Sequence, residues 1–406
     1  MKVACPQEHL QRALTKVSRA IATKTTLPVL SNVLLVAEEG GLRISATNLE
    51  IGITSLISTS VSVELAGKIT VDARLLTEFV NTLPNAQLKL SSDPARSSLL
   101  VECGRDNAAI NGIDADDFPV IPTIGDDAIL SEVDPRVLRE MIGLVEFAAA
   151  SDESRPVLAG VLARFEGTAL TLAAADGFRL AVREGSILSS VPERLDVIVP
   201  ARAMRELARL IGDEDKDVRL ASGLNQGQSH PESGHVEEPP IVRLSITPNQ
   251  SQLLARIGNT DFLSRLIDGT FPDFRQIIPR DFATTLEMPR DGLVNAVRRA
   301  SYFARDNNDV VRLSVQAADG ELTPRSVEIS ATAAERGNSQ SFVDAAVTGP
   351  ETQIAFNARY LSDVLNVLRQ SHVMIGVNGA NQAGVIRGTG NDDYTHVIMP
   401  MVIGAN

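Results

Sequence analysis

The segment Pro28-Val29-Leu30-Ser31-Asn32-Val33-Leu34 returns later in the chain as Pro156-Val157-Leu158-Ala159-Gly160-Val161-Leu162, and its surroundings return with it. Such a repeat constrains the fold more than composition does, because each copy must be a variation on one packing. Ahead of each copy lies an amphipathic helix pattern, Leu10, Leu14, Val17 and Ile21 in the first and Val137, Leu138, Met141 and Val145 in the second. After it, Gly40-Gly41 leads to a β run over 42–46 and Glu166-Gly167 to one over 170–174, each read as a hairpin. A second helix pattern follows, Leu75, Leu76, Phe79, Val80 and Leu83 in one copy and Met204, Leu207, Leu210 and Ile211 in the other. Both copies close on an aromatic-proline element, Phe118-Pro119 and Phe271-Pro272.

A third, more diverged copy keeps the order. Leu293, Val294 and Val297 begin a helix, 310–315 is a strand, Asp319-Gly320 a turn, and Tyr360, Leu361, Val364, Leu365 and Leu368 the second helix. The spacing between first and second helices is almost constant across the three copies, whether taken from Leu10 to Leu75, from Leu138 to Met204 or from Val294 to Leu361. The chain therefore reads as three domains, 1–125, 126–280 and 281–406, the middle one lengthened by a Gly-, Ser-, Pro- and acid-rich loop at 223–240. The natural packing for each is an α+β one, two amphipathic helices laid on one face of an antiparallel sheet.

Composition excludes several classes. With 44% hydrophobic and 22% charged residues each domain can build a core, and with 4% aromatics and no Trp that core is aliphatic. The N-terminus lacks the apolar stretch of a signal peptide and no apolar run is long enough to span a bilayer, so a cytoplasmic protein with no membrane partner is expected. Cys5 and Cys103 form neither a CxxC pair nor a metal-ligand spacing and read as reduced thiols, while His230 and His235 stand in the loop without further ligands. No cofactor and no metal is called for. The sequence has no GxxxxGK[ST], GxSxG or HExxH motif. Asp114, Asp116 and Asp117 read as a solvated connector, with an Mg²⁺-dependent, DNA-acting enzyme as the competing reading.

The net charge of −13 argues against nucleic acid only if charge is evenly spread. Over six expected helix windows, 7–24, 72–84, 134–150, 200–211, 289–305 and 357–370, there are 16 Lys+Arg against 9 Asp+Glu, a balance of +7 that leaves −20 elsewhere. Arg12, Lys16, Arg19 and Lys24 lie in the first window, Arg202, Arg205 and Arg209 in the fourth, and Arg290, Arg298, Arg299 and Arg305 in the fifth. One reading makes these ordinary solvated helix faces of a repeat scaffold. The other makes them a basic inner surface for an anionic polymer, reached through backbone contacts to duplex DNA because no aromatic platform accompanies them.

Glu8-His9-Leu10, Thr26-Leu27-Pro28-Val29-Leu30, Asp176-Gly177-Phe178-Arg179-Leu180-Ala181-Val182, Phe271-Pro272-Asp273-Phe274 and Val397-Ile398-Met399-Pro400-Met401 together resemble the bacterial DNA polymerase III beta subunit family, the sliding clamps, over essentially the whole chain. The resemblance implies three processivity-fold domains per chain and a head-to-tail homodimeric ring around double-stranded DNA, non-catalytic, that tethers the polymerase III alpha subunit, the clamp loader and other proteins bearing a clamp-binding motif. Twelve helices spaced about 8–10 Å apart would close a circumference on the order of 100–120 Å, leaving an opening of roughly 30–40 Å. A duplex of about 20 Å passes through it. By the same resemblance Lys24, Arg74, Arg155 and Arg202, joined by Arg205 and Arg298 from the basic helices, are the DNA contacts, and the absence of aromatics at Pro156 and Val157 removes a stacking contact there. It also places a partner-peptide pocket at Leu158, Ala175, Gly177, Phe178, Arg179, Leu180, Pro272, Ile277, Val397, Ile398, Met399, Pro400 and Met401. Phe178 stands where a polar residue is common, and the chain runs on through 402–406, so the rim and its peptide preference are expected to differ.

Overall fold

The computed structural model describes residues 1–22, 25–93, 97–125, 130–152, 154–221, 241–315 and 325–402. The 223–240 loop with His230 and His235, Lys24, the Asp319-Gly320 turn and 403–406 lie outside the described residues.

The first repeat runs β1 (Lys2–Pro6), α1 (Gln7–Val17), β2 (Asn32–Glu38), β3 (Gly41–Thr47), β4 (Ile51–Ile57), β5 (Ser62–Leu65), β6 (Gly67–Asp72), α2 (Ala73–Thr82), β7 (Gln87–Asp93), β8 (Ser98–Cys103) and β9 (Asp106–Ile113). The second runs β10 (Ser131–Val133), α3 (Pro135–Val145), β11 (Gly160–Ala175), β12 (Arg179–Pro200), α4 (Ala201–Ala221), β13 (Val242–Ile246), β14 (Gln252–Ile257) and β15 (Thr260–Arg265). The third runs β16 (Thr284–Pro289), α5 (Arg290–Ala304), β17 (Val310–Val315), β18 (Ser326–Ala333), β19 (Gly337–Asp344), β20 (Ala346–Thr348), β21 (Gln353–Asn357), α6 (Ala358–Val367), β22 (His372–Val377), β23 (Gly384–Gly388) and β24 (Tyr394–Ile398). The expected hairpin turn at Glu166-Gly167 falls within the strand run β11, where residues 166–169 are exposed between two buried halves and Gly167 takes φ +59°, the left-handed conformation of a tight turn.

The repeated P-V-L segment is a 3₁₀ turn in both copies, Pro28–Ser31 and Pro156–Ala159, each feeding the next strand. Proline fits the first position of such a turn because its missing N–H would be unpaired there anyway. The helices follow their apolar stripes. Leu10, Ala13, Leu14 and Val17 are the buried face of α1, and Leu293, Ala296, Val297, Ala300 and Ala304 that of α5. Asp72 caps α2 by accepting from Leu75 N at 2.7 Å, and Asn357 caps α6 from Arg359 N and Tyr360 N.

The described residues form two compact units. One comprises Met1–Arg139, Ile187–Val191 and Arg205–Leu266, the other Glu140–Ser186, Pro192–Met204 and Ile267–Asn406. In the first unit a 13-stranded antiparallel sheet passes from one repeat to the next where β4 pairs with β15, Thr260 opposite Ser55 and Ser264 opposite Ile51. In the second unit a 7-stranded sheet does the same where β12 pairs with β24, Arg179 opposite Ile398 and Arg183 opposite Tyr394, and β17, β18, β19 and β21 form a separate 4-stranded sheet. Backbone hydrogen bonds thus join consecutive repeats, which leaves no flexible linker at either of these strand pairs.

Candidate peptide pocket and nucleic-acid contacts

The β12–β24 pairing brings together segments from the second and third repeats that lie far apart in the sequence. Leu180 faces Val397 across the ladder, and Met399 N donates to Phe178 O at 2.8 Å just beyond it. Leu180, Val397, Leu162, Ala173, Phe271, Phe274 and Val385 form one buried cluster against which Ala175, Val157 and Ile278 pack. Leu158 is half-buried in the 3₁₀ turn that supplies Val157. Pro272 and Ile277 are exposed and flank Phe274, Pro400 and Met401 are half-buried, and Met401 N donates to Ala355 O at 2.8 Å. Ile398 is fully buried, and by strand alternation it faces away from Val397, so it serves the opposite side of the sheet.

The turn entering β12 is built around Asp176. Its carboxylate accepts from the amides of Phe178 at 2.9 Å and Arg179 at 3.0 Å, an Asx turn, while Gly177 takes φ +95°, a conformation that favours glycine. A Cβ on Gly177 would lie 3.1 Å from Arg155 Nη1. Arg179 then locks the turn. Nε donates to Asp176 at 3.0 Å, Nη1 to Asp363 at 2.6 Å and Nη2 to Phe147 O at 2.7 Å, with the guanidinium 4.4 Å from the Tyr360 ring centroid and 5.5 Å from that of Phe147. Its side chain is 10% exposed, so most of its hydrogen-bonding capacity goes to holding the turn and α6.

Below Arg179, His396 is sealed from solvent, stacked on Phe147 at 5.6 Å, with Nδ1 3.4 Å from the Tyr394 hydroxyl and Nε2 unpartnered. Burial, reinforced by the nearby Arg179 charge, pushes its pKa down to about 3, and burial likewise pushes the Tyr394 hydroxyl up. Phe147, Tyr360, Asp363 and His396 had no sequence signal pointing to this site, because they come from separate segments. Asp176 carried one, the Asp-Gly pair of a turn.

The DNA-contact candidates are dispersed. Arg74 is exposed on α2 and paired with Glu78 at 2.8 Å, and Arg202, Arg205 and Arg298 are exposed on α4 and α5. Arg155, also exposed, donates to Asp176 O at 3.2 Å and so stands beside the pocket turn. The helix charge balance is smaller than the sequence windows suggest. Within the observed helices there are 14 Lys+Arg against 10 Asp+Glu, a balance of +4 that leaves −17 elsewhere, chiefly because α4 continues through the acidic 213–217 stretch and α1 ends at Val17, short of Arg19 and Lys24. Two of the basic residues are spent there. Lys16, 9% exposed, pairs with Glu214 at 2.8 Å, and Arg19 pairs with Asp213, so neither is a solvated cation. Asp114 caps a short 3₁₀ turn by accepting from Asp116 N, and Asp116 pairs with Lys68.

Three family matches run almost end to end: "DNA polymerase III beta subunit, N-terminal domain" over residues 1–122, "central domain" over 132–273 and "C-terminal domain" over 275–402. The beta sliding clamp of Synechocystis sp. is 32% identical over 422 aligned positions, covering 99% of both chains, and that of Bacillus subtilis 27% identical with the same coverage. Among solved structures, the Bacillus subtilis DNA polymerase sliding clamp superposes with TM-score 0.86 at 27% identity, covering 99% of each chain. The Pseudomonas aeruginosa DNA polymerase III subunit beta does so with TM-score 0.83 at 28% identity, covering 99% of this chain and 100% of its own.

Proposed function

The chain belongs to the DNA polymerase III beta subunit family, and from that premise we propose that it is a sliding clamp, a non-catalytic processivity factor in DNA replication. Two copies close head to tail around duplex DNA, and the ring tethers the replicative polymerase, the clamp loader and other proteins that carry a clamp-binding peptide. The observation that carries this reading is the match to sliding clamps over 99% of both chains, with three family matches following one another along the sequence. The domains are taken as 1–125, 126–280 and 281–406.

The physical features agree with that role. A sliding ring needs weak, sequence-independent contacts to phosphate, and exposed arginines at 74, 202, 205 and 298 supply positive charge without a base-reading surface. Continuous antiparallel pairing between successive repeats gives the stiffness a ring requires. The apolar cluster of Leu180 and Val397, with Met399 exposed and Met401 half-buried just beyond the strand end, suits Leu or Phe anchors from several partners, because methionine adapts to different shapes. No described helix is long and apolar enough to cross a membrane, and a replication role supports a cytoplasmic location. Sedimentation or light scattering should give a species of twice 43.4 kDa. A monomer at micromolar concentration would contradict the closed two-chain ring.

A further inference from the structure

The internal repeat builds one kind of junction twice. Where β12 meets β24, Asp176 accepts from the amides of Phe178 and Arg179, Gly177 takes φ +95°, and Met399 N donates to Phe178 O. Where β4 meets β15, Asn48 takes the part of Asp176. Its Oδ1 accepts from Glu50 N at 3.0 Å and Ile51 N at 2.8 Å, Leu49 takes φ +74°, and Arg265 N donates to Glu50 O at 2.8 Å. Gly52 faces Leu263 as Leu180 faces Val397, and Leu263 pairs in turn with Leu254 as Val397 does with Val385. Each junction also has its own P-V-L turn and aromatic-proline element.

The two differ in what covers them. Ile277 and Ile124 stand at the same distance past Phe271 and Phe118. Ile277 follows the 3₁₀ turn Phe274–Gln276 and is 46% exposed. In the first repeat Pro122 stands in the place of Arg275, and proline restricts the residue before it to extended backbone, so 119–125 makes no helical turn. The segment runs on instead, and Ile124 is 4% exposed in one buried cluster with Leu254 and Leu263. Ile121 packs against that cluster and against Val29, Leu30 and Phe118. A Cβ on Gly52 would lie 3.0 Å from Ile121 Cγ2, so glycine at 52 leaves the isoleucine room. Arg256 Nη2 donates to Ile124 O at 2.8 Å.

We propose that the junction of β4 with β15 is a second docking site for a linear apolar peptide, occupied in cis by residues 121–124 of the chain's own connector. The proposal rests on the reading of the β12–β24 junction as a peptide pocket. The connector is the occupant because it is seated there by two aliphatic anchors and a hydrogen bond to its backbone, the way an extended peptide binds a groove. A tethered segment acts at an effective concentration on the order of millimolar, so a free peptide of micromolar affinity meets a filled site. The consequence is stoichiometry. Each chain offers partners one junction, and a two-chain ring offers two docking places rather than four.

The test counts bound peptides. Calorimetric titration with a synthetic peptide carrying a Leu-Phe anchor pair should give one peptide per unaltered chain and two per chain of the double variant Ile121→Ser, Ile124→Ser. Affinity at the β12–β24 pocket should stay within about twofold in that variant, which also shows that it is folded. A milder variant, Ile124→Cys, reads the site by maleimide labelling, with Cys5 and Cys103 buried and slow. Millimolar peptide should speed labelling of the new thiol about tenfold by displacing the connector, and a peptide with both anchors replaced by Ser should not. If the double variant does not fold, the thiol decides. One peptide per chain in a folded double variant, or labelling that the anchored peptide leaves unchanged, overturns the second site alone. If the unaltered chain binds no peptide, the pocket reading fails and this proposal falls with it.

Discussion

Replacing His396 by Gln should make the junction between β12 and β24 markedly less sensitive to acid. The imidazole is completely buried, stacked on Phe147 and close to Arg179, and its pKa lies near 3 against an ordinary 6.5. An unfolded or locally opened chain takes up a proton below pH 6.5 that the closed state refuses, so the closed state loses stability as pH falls from 6.5 towards 3 and loses none on this account above 6.5. At pH 4.5 this amounts to on the order of 3 kcal/mol, roughly a hundredfold in the opening equilibrium. Hydrogen–deuterium exchange of peptides spanning 179–183 and 394–398, corrected for intrinsic rates, reads this opening directly. Between pH 7 and 4.5 the unaltered protein should lose about a hundredfold more protection there than His396→Gln, since contributions common to both proteins cancel. Equal losses in the two proteins would refute the claim that a neutral, buried His396 holds the junction.

Other outcomes follow from the same contacts. Lys16→Met leaves Glu214 buried without its cation, beside the Thr260 hydroxyl, and should cost about 3–5 kcal/mol in melting experiments, with much of the loss recovered by adding Glu214→Gln. Arg179→Lys cannot reproduce the three-way fork to Asp176, Asp363 and Phe147 O, so it should lower the melting temperature and weaken peptide binding together, without altering binding to DNA. Charge reversal at Arg202 and Arg298 should slow loading onto DNA and flatten its salt dependence, leaving peptide affinity unchanged.

Much of this was legible in the sequence for a definite reason. Helices α1, α2, α5 and α6 follow their apolar periodicity within a few residues, because each packs a single stripe against a sheet. The P-V-L copies mark equivalent places because proline suits the start of a 3₁₀ turn. What escaped was set by distant partners. The end of α4 past Ile211 has no apolar repeat, and its Asp213 and Glu214 find Arg19 and Lys16 near the start of the chain. That acidic extension, with α1 ending before Arg19 and Lys24, is why the basic excess counted on helix windows shrinks. The pocket likewise depends on residues 178–180 meeting 397–399, a pairing that no local pattern encodes; only the resemblance to a known family pointed to it.

The central claim is topological: the protein holds DNA by enclosing it. The direct measurement loads the protein onto a nicked circular plasmid, raises the salt until ordinary phosphate contacts fail, and follows retention by gel filtration before and after a single restriction cut. Retention on the circle and release on linearisation is the predicted result. Loss from the intact circle at high salt, or equal retention on circle and linear DNA, would contradict it.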